Sequence, residues 1–258
     1  MNDKDYIKSL EKAVNLICLL SRNGSPLKLE NLVKISGLRK TSCFRILQTL
    51  MRSGFITKDG ETNGYLIGPR MISIGLSALD KRGVREMALP VMKDLQQKTR
   101  TTVNLGILIG PEVIFVERLQ SPYIVEANLR VGSRLSAHVS SMGKAILAYL
   151  PEPELDSILK EIRFERKTGK TIPSIKALKA ELKEIREKGF ALNNEELEAG
   201  LFAIAAPLRN HTGVAVAAIN ISFPLARHSK PEAMKNFCPF VLDACREISS
   251  IMGFRGGK

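Results

Sequence analysis

Several short runs in this 258-residue chain combine residue types that could do chemistry. Ser141-Met142-Gly143-Lys144 spells Ser-x-x-Lys, and Lys167-Thr168-Gly169 spells Lys-Thr-Gly. Together these are elements of the serine β-lactamase and penicillin-binding sites, where a lysine helps activate a serine. The middle Ser-Asp-Asn element is missing and the two motifs lie too close, so that chemistry is not expected. Gly143-Lys144 lacks the upstream glycine and the following Ser/Thr of a phosphate loop. His138, His211 and His228 are scattered, with no His-x-x-x-His or Cys partner, so no metal site is expected. The run Asn194-Glu195-Glu196-Leu197-Glu198 suits a solvated turn before a strand better than a carboxylate pair. No catalytic residue, metal or cofactor follows from these patterns.

The chemistry that remains is recognition. Residues 39–53 read as a helix with Cys43, Ile46, Leu47 and Leu50 on one face, leaving Arg39, Lys40, Thr41, Ser42, Phe44, Arg45 and Gln48 outside. An arginine grips guanine O6 and N7 through two hydrogen bonds, and glutamine does the same for adenine N6 and N7. Thr41 and Ser42 suit phosphates or base edges, and Phe44 suits a thymine methyl. The free N–H groups at the helix start favour phosphate oxygens. Lys58 lies where a backbone contact positions without specifying.

A recognition helix needs a support, and the flanking sequence supplies one. Residues 6–21 repeat apolar positions at Ile7, Leu10, Val14, Ile17 and Cys18. Asn23-Gly24-Ser25-Pro26 breaks the pattern, and residues 28–36 form a second short helix. Ser36-Gly37-Leu38 is a tight turn into the third helix, which ends at Ser53-Gly54. Two strands, at 55–58 and 65–67, flank a Gly/Asn-rich loop suited to a hairpin. Three helices and a hairpin in this order predict a winged helix-turn-helix over residues 1–68.

Charge points the same way. Lys and Arg total 39 against 26 Asp and Glu, a formal net charge of +13, which favours polyanionic partners. Between residues 28 and 58 the bases are Lys28, Lys34, Arg39, Lys40, Arg45, Arg52 and Lys58, against Glu30 alone. Aromatics are 5% of the chain with no Trp, which argues against stacking platforms for single-stranded nucleic acid. Apolar residues at 44% and charged residues at 25% are ordinary globular usage. Cys18, Cys43, Cys238 and Cys245 form no Cys-x-x-Cys pair and read as buried free thiols of a reducing compartment. The opening MNDKDYIKSLEK has no apolar core, and no long apolar run follows, so a soluble, cytoplasmic protein without membrane attachment is expected.

Residues 69–82 read as a linker helix whose stripe of Met71, Ile72, Leu76 and Leu79 suits packing on a second subunit. From 83 to 258 the pattern mixes a helix at 84–99, strands at 103–109, 112–119 and 124–131, helices at 141–150, 152–161 and 174–188, strands at 190–193, 201–208 and 214–222, and a last helix over 231–252. That alternation predicts an antiparallel sheet covered by helices, and an α+β fold for the whole. Gly132-Ser133-Arg134, His138 and Gly143-Lys144 surround the start of the 141–150 helix. They suit either a carboxylate or phosphate site, or a structural cap by Ser140 or Ser141 with His138 buried. The basic stretch from Lys160 to Lys188 keeps open a ligand-binding module without sequence-specific DNA function, although a solvated helical face also explains it.

Several gapped motifs in the right order give the chain a resemblance to the IclR family of bacterial transcriptional regulators. They are SLEKAVNLICLL, SGLRKTSCFRILQTL and GFITKDGETNGYLIGPRMISIG, then VGSRLSAHVSSMGKAILAYLP and GFALNNEELEAGLFAIAAPLRNHTGVAVAAINIS. The resemblance implies a winged helix-turn-helix joined by a helix to a profilin-like, GAF-related effector domain, and homodimers that often pair into tetramers. It implies a regulator of a catabolic operon, repressor or activator, that binds double-stranded operator DNA and a small organic acid or aromatic catabolite. Its effector positions fall on Ser141, Met142, Asn193, Ala203, Asn220 and Ser222. Asn193 stands where an acid is common, Ala203 where Cys is common, and Asn220 at a frequent Ser position. The endings ISFP and MGF resemble regulators of sugar-acid breakdown such as the 2-keto-3-deoxygluconate repressors.

Overall fold

In the computed structural model, residues 6–74, 83–121 and 129–255 are described. The chain divides into two compact units, residues 1–81 and 82–258.

In the first unit, α1 (Lys8–Arg22), α2 (Leu29–Ser36) and α3 (Lys40–Arg52) precede a hairpin of β1 (Ile56–Lys58) and β2 (Tyr65–Ile67). The strands pair antiparallel, Ile56 opposite Ile67 and Lys58 opposite Tyr65, and a bridge from Leu27 to Tyr65 ties the hairpin back to the start of α2. Gly37 ends α2 at φ +67, a left-handed conformation that glycine adopts without strain, and so turns the chain into α3. Leu16, Leu20, Leu27, Leu32, Cys43, Leu47, Leu50, Ile56 and Tyr65 form the core of this unit. The outcome for α1 differs from the sequence expectation. It buries Leu16 and Leu20, while Ile7, Leu10 and Val14 are 63%, 61% and 50% exposed and Cys18 is exposed. Both stripes have helical spacing. The one chosen inside is the one that meets α2 and α3. A further helix begins at residue 70 and is described to residue 74. The rest of the expected 69–82 linker lies outside the described residues.

The second unit is built on one six-stranded antiparallel sheet in the order β5-β4-β3-β8-β7-β6. Its strands are β3 (Thr102–Ile109), β4 (Glu112–Leu119), β5 (Arg134–Ser136), β6 (Ala191–Asn194), β7 (Leu201–Arg209) and β8 (Ala215–Pro224). The helices are α4 (Val84–Thr99), α5 (Ser141–Leu147), α6 (Glu152–Glu161), α7 (Ile175–Lys188), α8 (Lys230–Asn236) and α9 (Cys238–Ile251). α4 packs on β3 and β4, α9 packs on β7 and β8, and the two helices pack on each other. α5 lies across β3, β6, β7 and β8, with α7 behind it. Met142, Ile146, Leu155, Leu178, Leu182 and Ile185 share a core with sheet residues such as Phe115 and Ala205. Gly143 lets α5 sit this close. A Cβ there would lie 2.5 Å from Ala137 Cα, a contact real side chains do not make.

Three expectations change here. The helix expected over 231–252 is two, because the chain leaves the helix at Phe237 and restarts with Pro239 in the first turn of α9. β5 and a 3-10 turn at Ala137–Val139 were not foreseen, being too short to carry a period. The strand expected at 124–131 falls mainly on residues outside those described. Among the described residues no helix is long and apolar enough to cross a membrane.

Candidate nucleic-acid interface and effector cavity

Burial of Cys43, Leu47 and Leu50 fixes the rotation of α3, and the opposite face is thereby turned to solvent. Arg39, Lys40, Thr41, Phe44 and Arg45 are exposed, as is Lys58 on the wing, while Ser42 and Gln48 are half-buried. Phe44 is an exposed aromatic among cations. No side chain caps α3 and no acid stands in its first turn. Its leading N–H groups therefore keep their positive end for an outside anion. Glu30, the one acid between residues 28 and 58, lies 3.9 Å from Lys40 with both side chains largely exposed, so it holds that lysine weakly.

In the second unit the sheet register aligns two rows of polar residues on the face beneath α5. Arg118, Asn104 and Asn220 stand side by side on β4, β3 and β8. Two residues along, Asn193, Ala203, Ser222 and Thr102 stand side by side on β6, β7, β8 and β3. A period of two keeps both rows on one face. Arg118 Nη1 donates to Asn104 Oδ1 at 3.0 Å. Asn104 Nδ2 donates to Asn220 Oδ1 at 2.8 Å and, more weakly, to Ser222 Oγ at 3.4 Å. Asn220 Nδ2 donates to Ser141 Oγ at 3.1 Å, so the chain of bonds climbs from the sheet to the first turn of α5. Asn193 Nδ2 donates to the Val139 carbonyl at 2.6 Å, and its Oδ1 accepts from the Glu196 N–H.

Asn104, Ser141, Asn193, Ala203, Asn220 and Ser222 border a cavity of about 50 Å³ whose other walls include Phe115, Leu135, Val139, Leu197 and Leu201. A groove of about 360 Å³ elsewhere, lined by Leu108, Ile146, Leu150 and Val214, is larger but lacks convergent buried polar groups. The smaller cavity has the composition of a ligand site: apolar walls with a few placed donors and acceptors.

The sequence expectations divide at this cavity. Ser141, Asn193, Ala203, Asn220 and Ser222 line it. Met142 does not. One residue further round the helix, it is fully buried in the core against the position of Gly106. The cationic surround expected of Arg134, His138 and Lys144 is also corrected, since none of the three lines the cavity. Arg134 pairs with Glu112, His138 Nδ1 sits 2.7 Å from Ser136 Oγ with its ring against Phe164, and burial holds the imidazole below its usual pKa. Lys144 is fully buried and pairs with Glu181 and Glu196. Ser140 caps α5 by accepting from the Gly143 N–H, which is the capping alternative. Asn104 and Arg118 were missed, although an asparagine inside the apolar run VNLGILI was a legible signal.

The enzyme-like motifs dissolve in the same geometry. Ser141 bonds Asn220 while Lys144 bonds carboxylates, so no serine–lysine pair exists. Thr168 and Thr171 donate to the backbone carbonyls of Glu195 and Glu196, which fixes a loop. Several bases of the stretch around α7 pair with acids: Lys179 with Asp156, Lys188 with Glu184, Lys167 with Glu165 and Lys170 with Glu195. That supports the solvated-face reading over a second nucleic-acid surface.

Comparison with known proteins matches residues 9–60 to the IclR helix-turn-helix domain and residues 76–250 to the bacterial transcriptional regulator IclR C-terminal domain. The HTH-type transcriptional regulator XynR of Escherichia coli K12 is 30% identical over 96% of this chain and 98% of its own. The HTH-type transcriptional regulator KdgR of the same organism is 31% identical over 84% of this chain and 82% of its own. Among solved structures, a putative transcriptional regulator from Rhodococcus sp. RHA1 superposes with a TM-score of 0.80 at 30% identity, covering 96% of this chain and 98% of that one.

Proposed function

The chain belongs to the IclR family of bacterial transcriptional regulators, and we propose from that membership a division of labour among its residues. It is a DNA-binding regulator with an effector-binding C-terminal domain, not an enzyme. In our reading, Arg39, Lys40, Thr41, Ser42, Phe44, Arg45 and Gln48 of α3, with Lys58 on the wing, contact operator DNA. The observation that carries this is the outer face of α3, cationic and uncapped at its N-terminus. Ser141, Asn193, Ala203, Asn220 and Ser222 hold a small organic acid, and the resemblance of the ISFP and MGF endings to regulators of sugar-acid breakdown favours a sugar acid. The protein works in the cytoplasm, where its DNA is.

We propose that a second copy of the chain completes this division of labour. Ile7, the N-cap of α1, and Leu10 and Val14 on the helix form an exposed apolar stripe, and pairing two copies across it buries that stripe. A two-fold dimer presents two α3 helices to half-sites about 34 Å apart. Pairs of dimers form the tetramer. The effector acts by binding one arrangement of the paired units more tightly than another, with residues 69–82 as transmitter, because equal affinity shifts nothing.

Thermal-shift titration with sugar acids and aromatic acids tests the effector assignment. The expected result is stabilisation by a sugar acid that Asn220→Ala weakens at least several-fold, with DNA binding of the unliganded protein retained. Equal stabilisation of the variant would remove Asn220 from the site.

A further inference from the structure

The direction of the hydrogen bonds along Arg118, Asn104, Asn220 and Ser141 is not arbitrary. A guanidinium donates and never accepts. The Asn104 atom facing Arg118 Nη1 at 3.0 Å must therefore be the carbonyl oxygen. That turns the Asn104 amide nitrogen toward Asn220, whose facing atom at 2.8 Å must then be Oδ1. Asn220 in turn presents its nitrogen to Ser141 Oγ at 3.1 Å. Ser141 accepts there, so its single hydroxyl proton is left for another acceptor. No acceptor for it is found among the described residues, and the side chain lines the cavity. With one end replaced by an acceptor, every amide in the row has reason to turn over, because Asn104, Asn220 and Ser141 are all buried and each mismatched contact would cost a hydrogen bond.

We infer that Arg118, which does not line the cavity, decides the ligand class that the cavity accepts, by polarising this relay so that Ser141 offers a proton to an acceptor such as a carboxylate oxygen. The inference deepens the effector reading above and rests on it. Arg118 is a specificity-determining residue acting through others. Among the described residues that line it the cavity offers no cation, so an anion is recognised through an aligned row of neutral groups charged at its far end.

Two measurements on the full-length protein test this. A neutron structure of the unliganded, deuterium-exchanged protein is expected to place the Ser141 deuteron toward the cavity and both deuterons of Asn104 on the nitrogen facing Asn220. A Ser141 deuteron directed at Asn220 overturns the proposal. Side-chain amide NMR then follows titration with acetate, which only accepts, and methylammonium, which only donates. The wild type is expected to favour acetate. Arg118→Glu is expected to reverse the relay and shift the acetate-to-methylammonium preference at least tenfold toward methylammonium. Arg118→Met keeps the length of the side chain without its charge and is expected to fall between. Preference unchanged in both variants, with acetate still bound, overturns the role of Arg118. A deuteron in the expected place with neither probe bound leaves the relay standing and removes the effector reading instead.

Discussion

Lys144 Nζ lies 2.7 Å from Glu196 Oε2, with the lysine side chain fully buried and that of the glutamate only 8% exposed. Glu181, on α7, gives the same ammonium a second carboxylate. One cation thus ties α5 to α7 and to the loop that carries Leu197 and Glu198 along the cavity wall. Removing one partner from a buried pair leaves the other charge unpaired, at a cost of about 3–5 kcal/mol. Lys144→Met is therefore expected to lose stability on that scale in urea denaturation. Lys144→Met combined with Glu196→Leu is expected to lose less than the sum of the two single changes. Strict additivity would show that the pair is not coupled.

The same cluster gives a pH dependence of defined sign. Burial raises the Glu196 carboxyl above its ordinary range, and this outweighs the opposing pull of Lys144. A folded-state pKa above the unfolded one means the native state holds its proton longer. Its contribution to stability is present below the ordinary glutamate value of about 4.3 and is lost as pH rises through the raised value. Asp156, Glu165, Glu184 and Glu195, held low by lysine partners, have the opposite sign. Because wild type and Glu196→Gln share those four, they cancel in the difference between the proteins. Melting curves from pH 4 toward neutrality are expected to show wild type losing stability relative to Glu196→Gln as pH rises. A constant difference would contradict the burial argument.

The outer stripe of α1 makes a separate prediction. Leu10 is exposed within its own chain, so Leu10→Lys is expected to leave the melting of a monomer nearly unchanged. In sedimentation it is expected to shift the association of dimers to higher concentration and to weaken operator binding in parallel. Unchanged association would place the contact between copies on another surface.

The fold was legible wherever a period ran for several turns. α2, α3 and the two longest strands, β7 and β8, follow from patterns whose apolar residues had only one place to go. α1 was ambiguous because it carries two stripes, Leu16 with Leu20 and Ile7 with Val14, and sequence spacing cannot say which one meets the core. Met142 was placed in the cavity with Ser141, yet adjacent helix positions diverge by about 100° and only one of them faces the sheet polar row. Arg118 was invisible for another reason. Its partner Asn104 lies across a strand pairing, and nothing in the local sequence links them.

Binding of labelled duplex DNA, selected by the protein from a random pool, decides whether α3 reads sequence. Anisotropy titrations compare the selected duplex with random duplex, wild type with Arg45→Ala, between 50 and 200 mM salt. With contacts to about 6–10 phosphates, wild-type affinity is expected to fall roughly 10³–10⁵-fold over that range. Arg45→Ala is expected to cost about 1–3 kcal/mol on the selected duplex and little on random DNA. A flat salt response together with equal affinity for both duplexes would contradict the reading of α3 as a helix that enters the major groove.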